Sequence, residues 1–226
     1  MIIAIDGPAG SGKTTTAQKV AINLGFTHIN TGAMYRGITL KLIHEKININ
    51  DIEAINHILQ NTKLDFAGYQ YSVLYMDGQD ISDKITSSFV TNNVSTISAI
   101  REVRVKLVEY QRKMAQNRNV VLEGRDIGTV VFPNADHKFY LIADIKIRAE
   151  RRMKEMEDKG EYIPIEEIIL LLKERDEKDS SRKYSPLIKA KDAIEVNTTA
   201  LSINEQVNYI INIVKKNKKE FSSDNE

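Results

Sequence analysis

Cysteine is absent from the 226-residue chain. That removes disulfides, thiolate nucleophiles and zinc–thiolate sites, and it fits a reducing compartment. Also missing is any run near the ~18 consecutive apolar residues of a membrane span. Met1 passes directly into Ile2-Ile3-Ala4-Ile5 with neither a basic leader nor a small-residue cleavage site. The expectation is a soluble, cytoplasmic protein without a membrane partner. A dominant charge sign is lacking too: 32 Lys and Arg against 31 Asp and Glu leave a formal charge of +1. Such a balance lacks the basic excess that steers a domain onto nucleic acid, so no nucleic-acid partner is expected. What the chain does have is 42% hydrophobic residues, enough for one sizeable core with small excursions from it.

Short continuous apolar runs at Ile2–Ile5, Val120–Leu122 and Phe139–Ala143, with weaker ones at Ala193–Val196 and Phe26–Ile29, read as strands buried on both faces. Between them lie helical patterns: Thr15–Leu24, Met34–Glu45, one long stretch Ser87–Gln116, Lys146–Lys159, Ile165–Glu177 and Ile203–Lys216. Strands separated by helices imply right-handed crossovers and a parallel sheet covered on both sides, an α/β class. From Lys63 to Ile81 the period changes to 2, with Tyr69, Tyr71, Val73 and Tyr75 on one face and turns expected at Ala67-Gly68 and Asp77-Gly78. This reads as a small antiparallel insert. The charge-dense stretch Glu157–Pro186 is a solvated helix or something more specific, and the polar tail from Lys215 is expected to fray.

Gly7-Pro8-Ala9-Gly10-Ser11-Gly12-Lys13-Thr14 matches G-x-x-x-x-G-K-[ST] between a buried strand and a helix. The glycines let backbone N–H groups converge on phosphate oxygens, the helix N-terminus adds partial positive charge, Lys13 reaches the β/γ-phosphates, and the Thr14 hydroxyl suits Mg²⁺. Thr15 follows on the first helical turn. The alternative is an ordinary Gly-rich strand-to-helix turn. No N-K-x-D base-reading motif of a GTPase occurs. Asp144, ending the apolar run Phe139–Ala143, reads first as a strand-end cap and alternatively as an indirect partner of the metal.

Phosphoryl transfer rests on positioning and cancellation of spreading negative charge, so arginines should converge on this loop. Post-strand loops are their proper addresses in an open α/β sheet. Candidates are Arg36, Arg125, Arg148, Arg151, Arg152, Arg175 and Arg182. In Glu123-Gly124-Arg125-Asp126-Ile127-Gly128-Thr129, two glycines and several polar groups follow a buried strand, which marks a functional loop. Arg175, Asp179 and Arg182 share a helix face and form either a salt-bridge ladder or the face of a lid that excludes water from the transfer.

The phosphate loop, Asn30-Thr31-Gly32-Ala33-Met34-Tyr35-Arg36, Glu123–Thr129 and Glu174-Arg175-Asp176 with Asp179 and Arg182 together resemble the bacterial cytidylate kinases, from Met1 to about residue 214. The resemblance implies a three-layer P-loop kinase with a five-stranded parallel sheet: a core at 1–61, 87–157 and 183–226, a monophosphate-binding β insert at 62–86 and a helical lid at 158–182. It implies ATP-dependent phosphorylation of CMP or dCMP with Mg²⁺ by a monomer. Thr31, Arg36 and Arg125 would hold the acceptor phosphate, Ser95, Arg104 and Asp126 the cytosine, and Arg175, Asp179 and Arg182 the pentose side. Lys13, Arg148 and Arg152 would face the transferring phosphates. Asn30-Thr31 stands where the family more often has Asp-Ser, and Lys178 where some relatives have arginine.

A carboxylate facing the cytosine amino group and a guanidinium facing N3 and O2 form a matched set, which uracil's O4 would break. Read without the resemblance, Arg104 is a surface cation. The rivals are a kinase on the same scaffold acting on UMP, AMP or an alcohol, and a polymer-stimulated ATPase.

Overall fold

The computed structural model describes residues 1–67, 73–158 and 160–223, with side chains to residue 216. Five strands form one parallel sheet in the order β2-β6-β1-β7-β8: β1 (Ile2–Asp6), β2 (Thr27–Asn30), β6 (Val120–Gly124), β7 (His137–Ile142) and β8 (Ile194–Asn197). The apolar runs form the interior strands because both faces are covered. Ile3, Ile5, Val121, Phe139 and Leu141 pack against α1 (Lys13–Leu24) and α8 (Ile203–Ser223). Ala4, Ile29, Val120 and Leu122 pack against Ile127 and Val131 on the other face. Burying a side chain such as Phe139 contributes roughly 1.5–3 kcal/mol, and this core holds the strand ends in place. The chain moves outward from β1 to β2, returns to β6 beside β1, and then continues to β7 and β8 on the far side. The crevice beyond the carboxyl ends of β1 and β6 is therefore the switch point where such sheets bind ligands.

The small sheet is antiparallel, β3 (Leu64–Ala67), β4 (Val73–Met76) and β5 (Gln79–Asp80), and it closes through a turn at Asp77-Gly78. Leu64, Leu74 and Ile81 settle on α2 (Thr31–His44) at Gly37, where a Cβ would come within 3.2 Å of Ile81 Cδ1. The expected alternation through Tyr69, Gln70, Tyr71 and Ser72, the Gly68 turn and the helix end at Lys159 lie outside the described residues.

Three elements differ from the sequence reading. A helix not expected there, α3 (Ile52–Asn61), is capped by the Asp51 side chain accepting from Ala54 N and buries Ile55 and Leu59. The stretch Ser87–Gln116 is two helices, α4 (Ser88–Ser98) and α5 (Arg101–Ala115), broken at Ala99-Ile100. Both pack on the α2 cluster through Val94, Ile97, Val103 and Leu107, which a straight rod could not do from two directions. The tail from Lys215 continues helically to Ser223 as the end of α8. α6 (Ile145–Glu157) and α7 (Ile165–Ser181) enclose a small apolar cluster of Ala149, Met156, Ile168 and Leu172. Among the described residues no helix is long and apolar enough to cross a membrane.

Candidate active site

A cleft of about 380 Å³ opens at the carboxyl ends of β1, β2 and β6. Eight basic side chains line it (Lys13, Arg36, Arg104, Arg125, Arg151, Arg152, Arg175 and Arg182) against four acidic ones (Glu123, Asp126, Glu155 and Asp179). A chain of near-zero net charge thus carries a local excess of cations in this cleft.

The phosphate loop follows β1. Gly7 has φ 148° and stands so close to β7 that a Cβ would lie 2.1 Å from Leu141 O. Gly12, at φ 87°, caps α1 in a left-handed conformation that a side chain would strain. Lys13 is buried, and its Nζ bends back to donate to Pro8 O at 2.5 Å and Ser11 Oγ at 3.2 Å. Burial, reinforced by the Arg125 charge, holds its pKa well below the usual lysine value. Asp6 ends β1 and accepts from Ile127 N at 2.9 Å and Gly128 N at 2.8 Å. It thereby fixes the loop after β6, a π-helical turn at Ile127–Val131. Burial raises its pKa to about 6, against the lowering effect of those two N–H groups.

Two hydroxyls converge on Glu123. Thr14 Oγ1 donates to its carboxylate Oε1 at 2.7 Å, and Thr31 Oγ1 donates to its backbone carbonyl at 2.7 Å. Asn30 caps α2 by accepting from Ala33 N at 2.9 Å, a task the amide oxygen performs as well as a carboxylate would.

Beyond β6 runs a line of alternating charge. Arg104 bonds Asp126 and donates to Ser98 O at 3.0 Å. Arg182 stands 3.8 Å from both Asp126 and Asp179, and Arg125 Nε donates to Asp179 at 2.9 Å. Arg104 is 3% exposed, which overturns its reading as a surface cation, and it also lies over the Tyr35 ring at 5.2 Å. Burial alone would raise the Asp179 pKa, but Arg125, Arg175 and Arg182 together hold it below the usual aspartate value. For Arg175 the balance goes the other way: burial and the Arg125 charge outweigh the Asp179 carboxylate and push its pKa down to about 10. Arg36 Nε, Arg104 Nε, Arg175 Nε and Arg182 Nη2 are buried without a hydrogen-bond acceptor. Buried donors left so cost free energy that an anionic ligand would return.

The sequence-predicted residues divide as follows. Ala9, Gly10, Gly12, Lys13, Thr14, Thr15, Thr31, Arg36, Ser95, Arg104, Arg125, Asp126, Arg152, Arg175, Asp179 and Arg182 all line the cleft. Gly7, Pro8 and Ser11 do not line it, and Arg148 turns away to Ala9 O, Ala143 O and Asp176. Asp144 does not line the cleft and its side chain makes no cap hydrogen bond; the carboxylate beside Thr14 is that of Glu123. The signal for Glu123 was the same as for Asp144, an apolar run ending in an acid, on the strand next to β1. Tyr35 and Arg151 line the cleft without an assigned role, Arg151 donating to Thr198 O at 2.7 Å.

A protein-family model described as cytidylate kinase matches residues 3–216. A protein of Fusobacterium nucleatum subsp. nucleatum named cytidylate kinase is 48% identical over 216 residues, 96% of this chain and 98% of that protein. A second of that name, from Caldanaerobacter subterraneus subsp. tengcongensis, is 46% identical over 217 residues, 96% of each chain. Among solved structures, a gluconokinase from Sinorhizobium meliloti 1021 superposes with TM-score 0.54 at 13% identity, covering 99% of this chain and 97% of that one, and shares the fold.

Proposed function

The chain belongs to the cytidylate kinase family, and from that premise we propose that it transfers the γ-phosphoryl group of ATP to CMP or dCMP, giving ADP and CDP or dCDP. The observation that carries the reading is the shared cleft: the phosphate loop faces, across Arg36, Arg125 and Arg175, the buried Arg104–Asp126 pair.

The donor lies along Gly7 to Thr15, its phosphates on the backbone N–H groups at the start of α1, which have no intrahelical partner. Lys13 releases Pro8 O and Ser11 Oγ to follow the β/γ-phosphates. Thr31, Arg36 and Arg125 grip the acceptor phosphate; Ser95, Arg104 and Asp126 read cytosine; Arg175, Asp179 and Arg182 hold the pentose side. Arg152 and Lys13 face the transferring group and offset charge as it spreads over the γ-oxygens. The acceptor phosphate is already anionic at neutral pH, so no general base is required.

Oxygen donors suit Mg²⁺, and Thr14 Oγ1 with the Glu123 carboxylate at 2.7 Å supplies both a direct ligand and an anion behind it. When bound, the ion neutralises charge on the β- and γ-phosphates. We read the enzyme as a cytoplasmic monomer acting on free nucleotides, with residues 62–86 as the acceptor insert and 158–182 as the lid.

The test is ADP release with ATP and Mg²⁺ against CMP, dCMP, UMP, AMP and GMP. CMP or dCMP should give the highest kcat/KM; a best rate with UMP or AMP would overturn the cytidine reading and leave the phosphate loop standing.

A further inference from the structure

Ala9, the third residue of the phosphate loop, is held at every part of its backbone and side chain by the α6–α7 side of the molecule. Its carbonyl accepts from Arg148 Nη1 at 3.0 Å, and its N–H points to Asp176 Oδ1 at 3.4 Å. Its methyl group belongs to the apolar cluster that α6 and α7 share, with Ala149, Met156, Ile168 and Leu172. Arg148 Nη1 and Asp176 Oδ2 close the ring at 2.6 Å, and Arg148 Nε is anchored on Ala143 O at 3.1 Å. The next residue, Gly10, lies flat on the same helix: a Cβ there would be 3.0 Å from Arg148 O. Neither Arg148 nor Asp176 lines the cleft, so neither is placed to touch the nucleotide.

We propose that Asp176 is a positioning residue for the donor: with Arg148 it fastens α7 to the phosphate loop at Ala9, so that the seating of α7 sets the shape of the triphosphate cradle. The physical reason is the division of the loop's backbone. Asp176 takes the N–H of the Pro8–Ala9 peptide out of use and Arg148 the carbonyl of the Ala9–Gly10 peptide, which orients the following peptides, Gly10 to Thr14, toward the ligand. A charge-assisted pair is stronger and more directional than a neutral contact, and it fixes the peptide plane as well as its distance. Because Asp176 is on the same helix as Arg175 and Asp179, ordering α7 over the acceptor also orders the donor loop. The inference rests on that loop being the ATP site.

The experiment measures KM for ATP and for CMP separately, with direct ATP binding by calorimetry, on the full chain. Asp176→Ala should raise the KM and Kd for ATP about tenfold, within the range of ordinary coupling, while the CMP KM stays within about twofold. Asp176→Asn, which keeps the shape and loses the charge, should fall between Asp176→Ala and wild type, and Asp176→Glu should recover part of the loss. Adding Arg148→Ala to Asp176→Ala should weaken ATP no further, because the two side chains are paired and hold the same residue, Ala9. An equal rise in both KM values, or unchanged ATP affinity in Asp176→Asn and Asp176→Ala, overturns the proposal. Lys13→Ala separates the two readings: if it loses ATP affinity while the Asp176 variants keep it, only the clamp is wrong, and if it too keeps ATP affinity, the donor site itself has been misplaced.

Discussion

The Thr14 hydroxyl donates to Glu123 Oε1 across 109 residues of sequence, joining the first turn of α1 to the end of β6. The contact is possible because β1 and β6 are adjacent and parallel, with Asp6 opposite Gly124. It brings the acid to the hydroxyl expected to meet the metal.

Glu123→Gln should therefore retain the hydrogen bond and lose the charge behind it. The Mg²⁺ concentration giving half-maximal rate should rise, with kcat down roughly 10- to 100-fold and the thermal midpoint little altered. A Mg²⁺ titration of the rate decides it; an unchanged titration midpoint would detach Glu123 from the metal.

Lys13→Ala should lower kcat roughly 10²- to 10³-fold, the usual effect of removing one preorganised donor. CMP binding measured by calorimetry should persist, because the acceptor groups come from α2, α4, α5, α7 and the loop after β6, not from the phosphate loop. Retained turnover would mean that the strand-to-helix loop is no phosphate cradle.

Asp126→Asn exchanges an acceptor for a donor opposite the base. The ratio of kcat/KM for CMP over UMP should fall by about tenfold or more, as expected for one mispaired buried polar group. Parallel losses on the two substrates would separate this residue from base choice and leave it a partner of Arg104 alone.

Asp6 predicts a pH dependence of stability. Its folded pKa of about 6 lies above the ordinary 3.8, so the native state binds this proton more tightly than the unfolded chain. The contribution is complete below the unfolded value and is lost as pH rises through about 6, amounting to about 3 kcal/mol at most. Urea unfolding of wild type and Asp6→Asn, without nucleotide, should show their stability difference shrinking from pH 4 to pH 7. A difference that stays flat would falsify the protonated native carboxyl.

The phosphate loop was legible in the sequence because its glycine spacing encodes a local conformation, and the five buried strands because their apolar runs need cover on both faces. Glu123 was harder: its partner Thr14 is brought to it only by strand pairing, and Asp144 offered the same local pattern. Arg148 and Arg152 occupy one helix a turn apart, and only the packing of α6 against the phosphate loop turns the first to Ala9 and the second to the cleft. The break at Ala99-Ile100 has no Gly or Pro to announce it. It exists because α4 and α5 meet the α2 cluster from different directions. Arg104 shows the same limit in reverse: nothing local distinguishes it from Arg101 on the same helix, which is exposed.

Gly7 illustrates how catalytic grammar can be dictated by masonry. With the backbone oxygen of Leu141 where a methyl group would go, any side chain at this position would wedge two central strands apart before a nucleotide ever arrived. The first letter of the motif is therefore set by strand packing, and it would stay fixed even in a descendant that had given up phosphate altogether.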